Sequence, residues 1–296
     1  MKFFKSLNNY DGLIWCYGVI QDPITQNYAL VLPFMESGSL RSYFNQNFNS
    51  ITWNQKLLII FEISRGLFYI HYKNLLHKDL HLGNVLQPEN ISSYGTCISD
   101  FGFCKPADES SSNSSSRNTY GVMPYMAPEI LRGKEYTQKS DVYSLGIIMN
   151  EIISIVPPFN DVPHDLHLAL DICRGKRPKM RVETPEILKE LIQKCWDANP
   201  ENRPTSEEVN ETLGNGKDYE ELEKLEKLSY DFTESTNTKL FETHPQAIYT
   251  SRLLNFSNLP EPVNCPNHGK FKLIIILFIL YYKIANNYYL YIRYSF

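Results

Sequence analysis

Residues 77–86 read HKDLHLGNVL, and residues 99–102 read SDFG. Asp79 and Asn84 lie five apart, and Asp100 follows sixteen residues after Asn84. Two acids and one amide near strand-and-loop segments are the set that a phosphoryl-transfer site needs. One carboxylate orients an attacking hydroxyl and receives its proton. The other carboxylate and the amide oxygen bind Mg2+, a hard cation that prefers oxygen ligands. The metal then offsets charge developing on the phosphates. Gly102 gives the backbone freedom to turn where a metal ligand is presented. A solitary Asp-Phe-Gly also reads as a turn before a strand. The ordered set of H-x-D, Asn five later and then DFG is far more specific.

Outside these stretches, composition sets the bounds. The 296 residues allow one large domain or two modest ones with a sizeable core. Hydrophobic residues make up 43% and charged residues 21%, which excludes wholesale disorder and collagen-like repeats. With 29 Lys and Arg against 33 Asp and Glu, the net charge of -4 leaves no electrostatic footprint for nucleic acid. The six cysteines are scattered and contain no C-x-x-C pair. This argues against a disulfide scaffold or a zinc site and for a reducing, cytoplasmic compartment. The opening MKFFKSLNNYDG has no long apolar core and does not read as a secretory signal.

Three zones follow from the pattern. Residues 1 to about 214 alternate apolar segments with turn signals. Residues 13–20 and 28–35 read as two strands joined by a hairpin over 22–27. Thr52 caps a long helix, with Gln55 three residues on as a capping box requires, and Leu57, Phe61, Leu67, Phe68 and Ile70 on its buried face. A second helix runs from Asp141 to about Ser154, and a third from Pro185 to Trp196. A fourth begins at Thr205, with Glu208 completing another capping box. Two short strands followed mostly by helices make an α+β unit that is helix-heavy. Residues 218–228 read as a charged helix, and 229–269 as an irregular tail punctuated by prolines. Leu273–Tyr282 is ten apolar residues long. As a helix it reaches about 15 Å, half of a bilayer core of about 30 Å, so no membrane span is expected.

The ordered motifs resemble the catalytic loop and metal loop of eukaryotic protein kinases, and the likeness extends further. Residues 125–129 (YMAPE) resemble the end of a kinase activation segment, and 141–146 (DVYSLG) the start of its central C-lobe helix. Residues 196–204 (WDANPENRP) resemble the late segment whose arginine pairs with the glutamate of APE, which implies a Glu129–Arg203 ion pair. Residues 28–40 resemble the strand, hinge and helix that hold adenine. The likeness covers roughly residues 10–213, and HKDLHLGN with CWDANPENRP is closest to the tyrosine-kinase-like branch.

The resemblance implies a kinase-like fold with a two-stranded remnant of the N-lobe sheet. Its divisions are a partial N-lobe and hinge over 1–37, a C-lobe over 38–214, a charged helix and irregular tail over 215–270, and an unstructured apolar tail over 271–296. It implies ATP and Mg2+ as cofactors and a protein as substrate. Asp79 becomes the catalytic base, and Asn84 and Asp100 the Mg2+ ligands. Leu32 guards the pocket behind adenine, the backbone of Pro33 and Met35 faces the base, and Leu86 floors it. Pro33 has no N–H, so Met35 would supply that donor. His77 reads as a core histidine bracing the loop, and Asp141 as a structural carboxylate accepting backbone N–H bonds.

The sequence also departs from the family. No G-x-G-x-x-G and no V-A-I-K appears, so the chain is expected to begin after the glycine-rich lid, the strand lysine and its glutamate partner. Removing one preorganised charge contact alone typically costs about 3 kcal/mol of transition-state stabilisation. Lys78 stands where many kinases have arginine, which alone can grip a loop phosphate bidentately. His81 stands where serine/threonine kinases carry lysine, and Val122 where they carry threonine. The run over 108–117 (DESSSNSSSR) reads either as a phosphorylation-controlled loop, with Thr119 and Tyr120 as further acceptors, or as a serine linker.

Three functions compete. The first is an ATP-dependent protein kinase acting on Ser/Thr or Tyr. The second is a catalytically weak pseudokinase or scaffold that binds a regulatory protein partner through its C-lobe. The third is a small-molecule phosphotransferase of the aminoglycoside-kinase type, which HKDLHLGNVL and DFG also resemble. YMAPE, DVYSLG and NPENRP weigh against the third, because they build the peptide side of protein kinases. A two-stranded sheet is marginal alone. Trp15, Tyr17, Leu30 and Leu32 are therefore expected to form an exposed apolar patch that limits solubility.

Overall fold

The computed structural model describes residues 7–8, 10–88, 95–108, 119–214 and 242–265. A hairpin is formed by β1 (Gly18–Gln21) and β2 (Tyr28–Val31), paired antiparallel with Gly18 opposite Val31. Asp22 makes the turn, its carboxylate accepting from the Ile24 and Thr25 amides. The strands are shorter than the apolar runs suggest. Leu13 makes a parallel bridge to Ile98 instead, and the Ile14 amide donates to the Ile98 carbonyl at 2.9 Å. β2 stops before Pro33, which has no N–H to extend a ladder.

Next come α1 (Leu40–Asn47), capped by Ser39, and α2 (Trp53–Tyr72), whose Thr52–Gln55 capping box forms as expected. Ile59, Ile60, Ile63, Leu67 and Ile70 carry the buried face of α2, while Phe61 and Phe68 are only half-buried. Gly12 and Gly66 let the N-terminal segment cross α2 at backbone contact. A Cβ on Gly66 would lie 2.4 Å from the Gly12 carbonyl oxygen.

Four two-residue strands frame the site: β3 (Leu75–Leu76), β4 (Val85–Leu86), β5 (Cys97–Ile98) and β6 (Lys105–Pro106). β3 pairs with β6, and β4 with β5, both antiparallel. β7 (Thr119–Gly121) and the short α3 (Pro128–Leu131) follow. The central α4 (Gln138–Ser154) starts three residues earlier than Asp141, because Thr137 and Ser140 make its capping box. Every α4 residue from Ser140 to Ser154 is buried, as befits a helix surrounded by other elements. α5 (Leu166–Cys173), α6 (Glu186–Cys195) and α7 (Ser206–Gly214) complete the helical body. α2 packs on α7 and α4, and α4 also packs on α6.

β8 (Arg252–Leu254) pairs antiparallel with β7. It belongs to the segment that the sequence pattern reads as irregular. Two expected features, the charged helix over 218–228 and the apolar tail over 271–296, lie outside the described residues, as does the serine run over 108–117 apart from Asp108.

Candidate active site

The loop after β3 is built around one buried carboxylate. Asp141, in the first turn of α4, accepts from the His77 amide at 2.8 Å and the Lys78 amide at 2.9 Å. His71 Nε2 lies 3.2 Å from the same carboxylate, and His71 Nδ1 lies 2.8 Å from the Ser206 hydroxyl. Burial pushes the Asp141 carboxyl up. The His71 hydrogen bond and charge and the Lys78 amide together outweigh it and hold the group below the usual carboxylate range. These bonds also fix Lys78 at φ 74°, a left-handed conformation that a lysine rarely adopts unaided.

His77 staples this loop to the DFG segment. Its Nδ1 accepts from the Asp79 amide at 3.3 Å, so the neutral ring carries its proton on Nε2 and donates it to the Ser99 carbonyl at 3.0 Å. Burial pushes the His77 pKa down and keeps the ring neutral. Phe101 lies edge-on to the ring at 5.8 Å. His77 thus braces the loop, and Asp141 accepts backbone bonds, as their sequence context suggests.

The structure brings Asp79 and Asn84 into contact, and Asp100 follows the residue that bonds Asn84. Asn84 Nδ2 donates to the Asp79 carbonyl at 2.9 Å and lies 3.4 Å from the Asp79 carboxylate. The Ser99 amide and hydroxyl both donate to the Asn84 carbonyl at 2.8 Å, continuing the β4–β5 register and setting Asp100 one residue beyond. Asp100 adopts φ 58°, ψ 70°, and its Oδ1 accepts from the Gly102 amide. With its N–H2 engaged, Asn84 keeps Oδ1 to offer a cation, and Asp100, next to Ser99 in the chain, adds a carboxylate. The donor set is therefore an amide and a carboxylate oxygen. No group of three or more His, Cys, Asp or Glu that could cage a metal occurs among the described residues. Such a pair fits Mg2+ that arrives with nucleotide phosphates and keeps most of its ligands from them and from water.

The residues assigned to adenine cluster on the hinge side. Met35 is buried, and its carbonyl accepts from the Gly38 amide at 2.9 Å. The Gln87 amide donates to the Gly38 carbonyl at 3.0 Å, and Ser39 bridges to Leu86, so Leu86 lies against the hinge turn. Leu32 is 36% exposed and Pro33 half-buried.

On the opposite side, Asp79 Oδ2 accepts a 2.6 Å hydrogen bond from the Ser251 hydroxyl. His81 Nδ1 accepts from the Gly83 amide at 3.0 Å, which places the proton of its neutral ring on Nε2. That atom lies 3.3 Å from Ser251 Oγ and 3.7 Å from Asp79 Oδ1. Burial raises the Asp79 pKa, but the bonds from His81 and Ser251 leave it below the ordinary value. Ser251 is the site residue that sequence reasoning missed, because no motif marks it.

The implied ion pair is present. Arg203 Nη1 and Nη2 reach the two Glu129 carboxylate oxygens at 2.7 and 2.8 Å, and Arg203 is 1% exposed. Val122 makes no side-chain cap, and the Lys78 ammonium rests 5.1 Å from the Tyr136 ring centroid.

Residues 1–213 match the family model described as protein tyrosine and serine/threonine kinase. A serine/threonine-protein kinase/receptor of Acanthamoeba polyphaga mimivirus is 30% identical over 215 residues, 72% of this chain and 13% of that protein. The dual specificity protein kinase splA of Dictyostelium discoideum is 31% identical over 197 residues, 62% of this chain and 8% of its own length. A protein kinase and PP2C-like domain-containing protein of Arabidopsis thaliana is 30% identical over 214 residues, 62% of this chain and 32% of that protein. The chain thus spans well under half the length of each of these three relatives.

Proposed function

Because this chain belongs to the protein tyrosine and serine/threonine kinase family, we propose that it transfers the γ-phosphate of ATP to serine or threonine of protein substrates. The carrying observation is the contact of Asn84 with Asp79, supported by the Ser99–Asn84 bonds one residue before Asp100. Asp79 is the base, reaching the acceptor hydroxyl, and Asn84 and Asp100 are the residues that would hold Mg2+. The cation would neutralise phosphate charge. Leu86 and the hinge turn at Met35, with Leu32 and Pro33 before it, form the adenine side. The serine/threonine assignment rests on the description of the mimivirus relative.

A cytoplasmic setting is part of the same reading, supported by six free thiols, five of them buried. No helix among the described residues is long and apolar enough to cross a membrane. Fractionation of the expressed full chain checks the compartment, and recovery with membranes would contradict it.

The test is transfer of labelled γ-phosphate to a serine/threonine peptide library with Mg·ATP. Asp79→Asn should lower the rate by about 100-fold or more, the typical contribution of a positioned base. Equal transfer by that variant would refute the assignment. A catalytically weak scaffold module is the second reading, and under it no peptide is phosphorylated even at saturating Mg·ATP.

A further inference from the structure

Residues 242–265 lie across the helical body like a strap. On one side the His244 amide donates to the Asn160 carbonyl at 2.8 Å, and the His164 amide to the Gln246 carbonyl at 3.0 Å. On the other, Glu261 pairs with Arg132, and the Val263 amide donates to the Cys173 carbonyl at 3.0 Å. Between these anchors the strap passes directly over Asp79. We propose that Tyr249–Leu254 is a substrate peptide held in cis, with Ser251 as its phosphoacceptor. This rests on the kinase reading above and names the acceptor that the same site would take.

Main-chain pairing sets the register. β8 adds to β7 with Arg252 opposite Gly121, Leu253 opposite Tyr120 and Leu254 opposite Thr119. This is peptide recognition by strand addition, in which backbone bonds hold the segment and side-chain seats select it. Gly121 lies against the base: a Cβ there would be 3.6 Å from Asp79 Oδ1. Pairing Arg252 with Gly121 therefore delivers the preceding residue, Ser251, to the carboxylate. A slip of one residue would turn each side chain to the other face and present the wrong group.

Three seats flank the serine. Two residues before it, the Tyr249 ring lies 4.5 Å from the Arg41 guanidinium, and its hydroxyl donates to the Pro158 carbonyl at 3.0 Å. Arg41 is held from below by Glu151 and Tyr125. One residue after the serine, the Arg252 guanidinium donates to the His164 carbonyl. Three after it, Leu254 is buried. The peptides that fit carry an aromatic residue at the second position before serine, a basic one directly after it and an apolar one at the third position after.

At 2.6 Å the Ser251 hydroxyl is within the reach that a general base requires. His81 Nε2–H on the same oxygen turns the hydroxyl proton toward Asp79. In the reaction, Ser251 Oγ attacks the γ-phosphorus of Mg-bound ATP. The Oγ–P bond forms while the bond from that phosphorus to the β,γ-bridging oxygen breaks. The hydroxyl proton passes to the Asp79 carboxylate, and ADP departs. The phosphoserine then carries about two negative charges beside Asp79, and like-charge repulsion drives the segment out of the groove.

The test incubates the full chain with Mg·ATP, alone and with an unrelated serine peptide, and maps phosphosites by mass spectrometry over time. Ser251 should be modified at a first-order rate unchanged by tenfold dilution, as a tethered acceptor requires. Leu254→Asp and, independently, Arg252→Ala should slow that modification at least tenfold and speed transfer to the supplied peptide. Without ATP, hydrogen exchange should show protected amides across Thr119–Gly121 and Arg252–Leu254, and Leu254→Asp should release them. Phosphate on the supplied peptide with Ser251 unmodified overturns the proposal but leaves the kinase reading intact. A rate that falls with dilution, or freely exchanging amides in the unmodified chain, also overturns it. Protected amides with no transfer to any acceptor overturn the kinase reading, and the acceptor role with it.

Discussion

The hairpin of β1 and β2 and the central helix α4 are both rich in apolar residues, yet they end in opposite environments. In α4 every residue from Ser140 to Ser154 is buried, including Asp141, Asn150 and Glu151. In the hairpin every β2 residue is exposed on both faces, as are Tyr17 and Ile20 beside it. The same apolar pattern is realised in one place and left without cover in the other. Patterning states which residues can be buried; only a neighbouring element decides whether they are. The catalytic loop sits against that covered helix and is held by charges sunk into the core.

The largest expected effect tests that core. Arg203 makes a bidentate bond to Glu129 and also donates to the Lys139 and Asp197 carbonyls. Arg203→Ala strands a half-buried carboxylate and two carbonyls, so a loss of about 3–5 kcal/mol is expected by urea denaturation. A loss below about 1 kcal/mol would put the ion pair on a par with a surface contact and erase the contrast with the hairpin. Asp141→Asn comes next, because it keeps the shape but weakens bonds from two amides and His71. A loss of about 1.5–3 kcal/mol at neutral pH is the usual range for hydrogen bonds to a charged group. The Asp141 pKa is lower folded than unfolded. Its stabilisation is therefore present above the unfolded value of about 3.9 and disappears as pH falls through the folded value. The urea midpoint should fall more steeply with acid in the parent chain than in the variant. Parallel curves would show that Asp141 is not the group titrating.

Lys56 gives a smaller effect, of the same sign in pH but in an alkaline window. Burial, aided by the Arg181 charge, pushes its pKa down to about 8, and its ammonium donates to the Ile153 carbonyl at 3.0 Å. Between that value and the unfolded lysine value of about 10.4, the unfolded chain holds the proton more tightly. The contribution of Lys56 to stability should therefore rise with pH across this window. Lys56→Met should flatten the rise in midpoint measured from pH 7.5 to 10.5. An unchanged slope would locate the titration elsewhere.

The C-lobe was legible because its signals are local and redundant. Thr52 with Gln55, and Thr205 with Glu208, announce helix starts through bonds that involve only neighbouring residues. Asp79, Asn84 and Asp100 stand out in the sequence because metal and base chemistry restricts residue type and spacing, and the structure joins the first two by a direct contact. Leu32, Pro33, Met35 and Leu86 were placed through the family resemblance, and the bridge from Ser39 to Leu86 joins their two segments. Ser251 was not legible. Its role depends on a pairing partner more than 120 residues earlier, and a three-residue strand with mixed polarity carries no periodic signal. The hairpin ends were misjudged for a related reason. Leu13 has the apolar character of a strand residue, but its partner is Ile98 and not β2.

The smallest effect on stability falls on the hairpin and separates cover from composition most directly. Ile24 is 90% exposed and Phe34 83% exposed, so neither contributes appreciable burial to the fold. Ile24→Ser with Phe34→Ser should shift the urea midpoint by no more than about 0.5 kcal/mol, the usual bound for surface substitutions. Yet these side chains flank Trp15, Tyr17, Ile20, Tyr28 and Leu30, all exposed on the same short hairpin. An apolar patch of that kind promotes association. The double variant should therefore stay monomeric in sedimentation at concentrations where the parent chain self-associates. A parent chain that is monodisperse throughout would contradict the exposed patch. A variant losing several kcal/mol would show that the hairpin is packed against something after all.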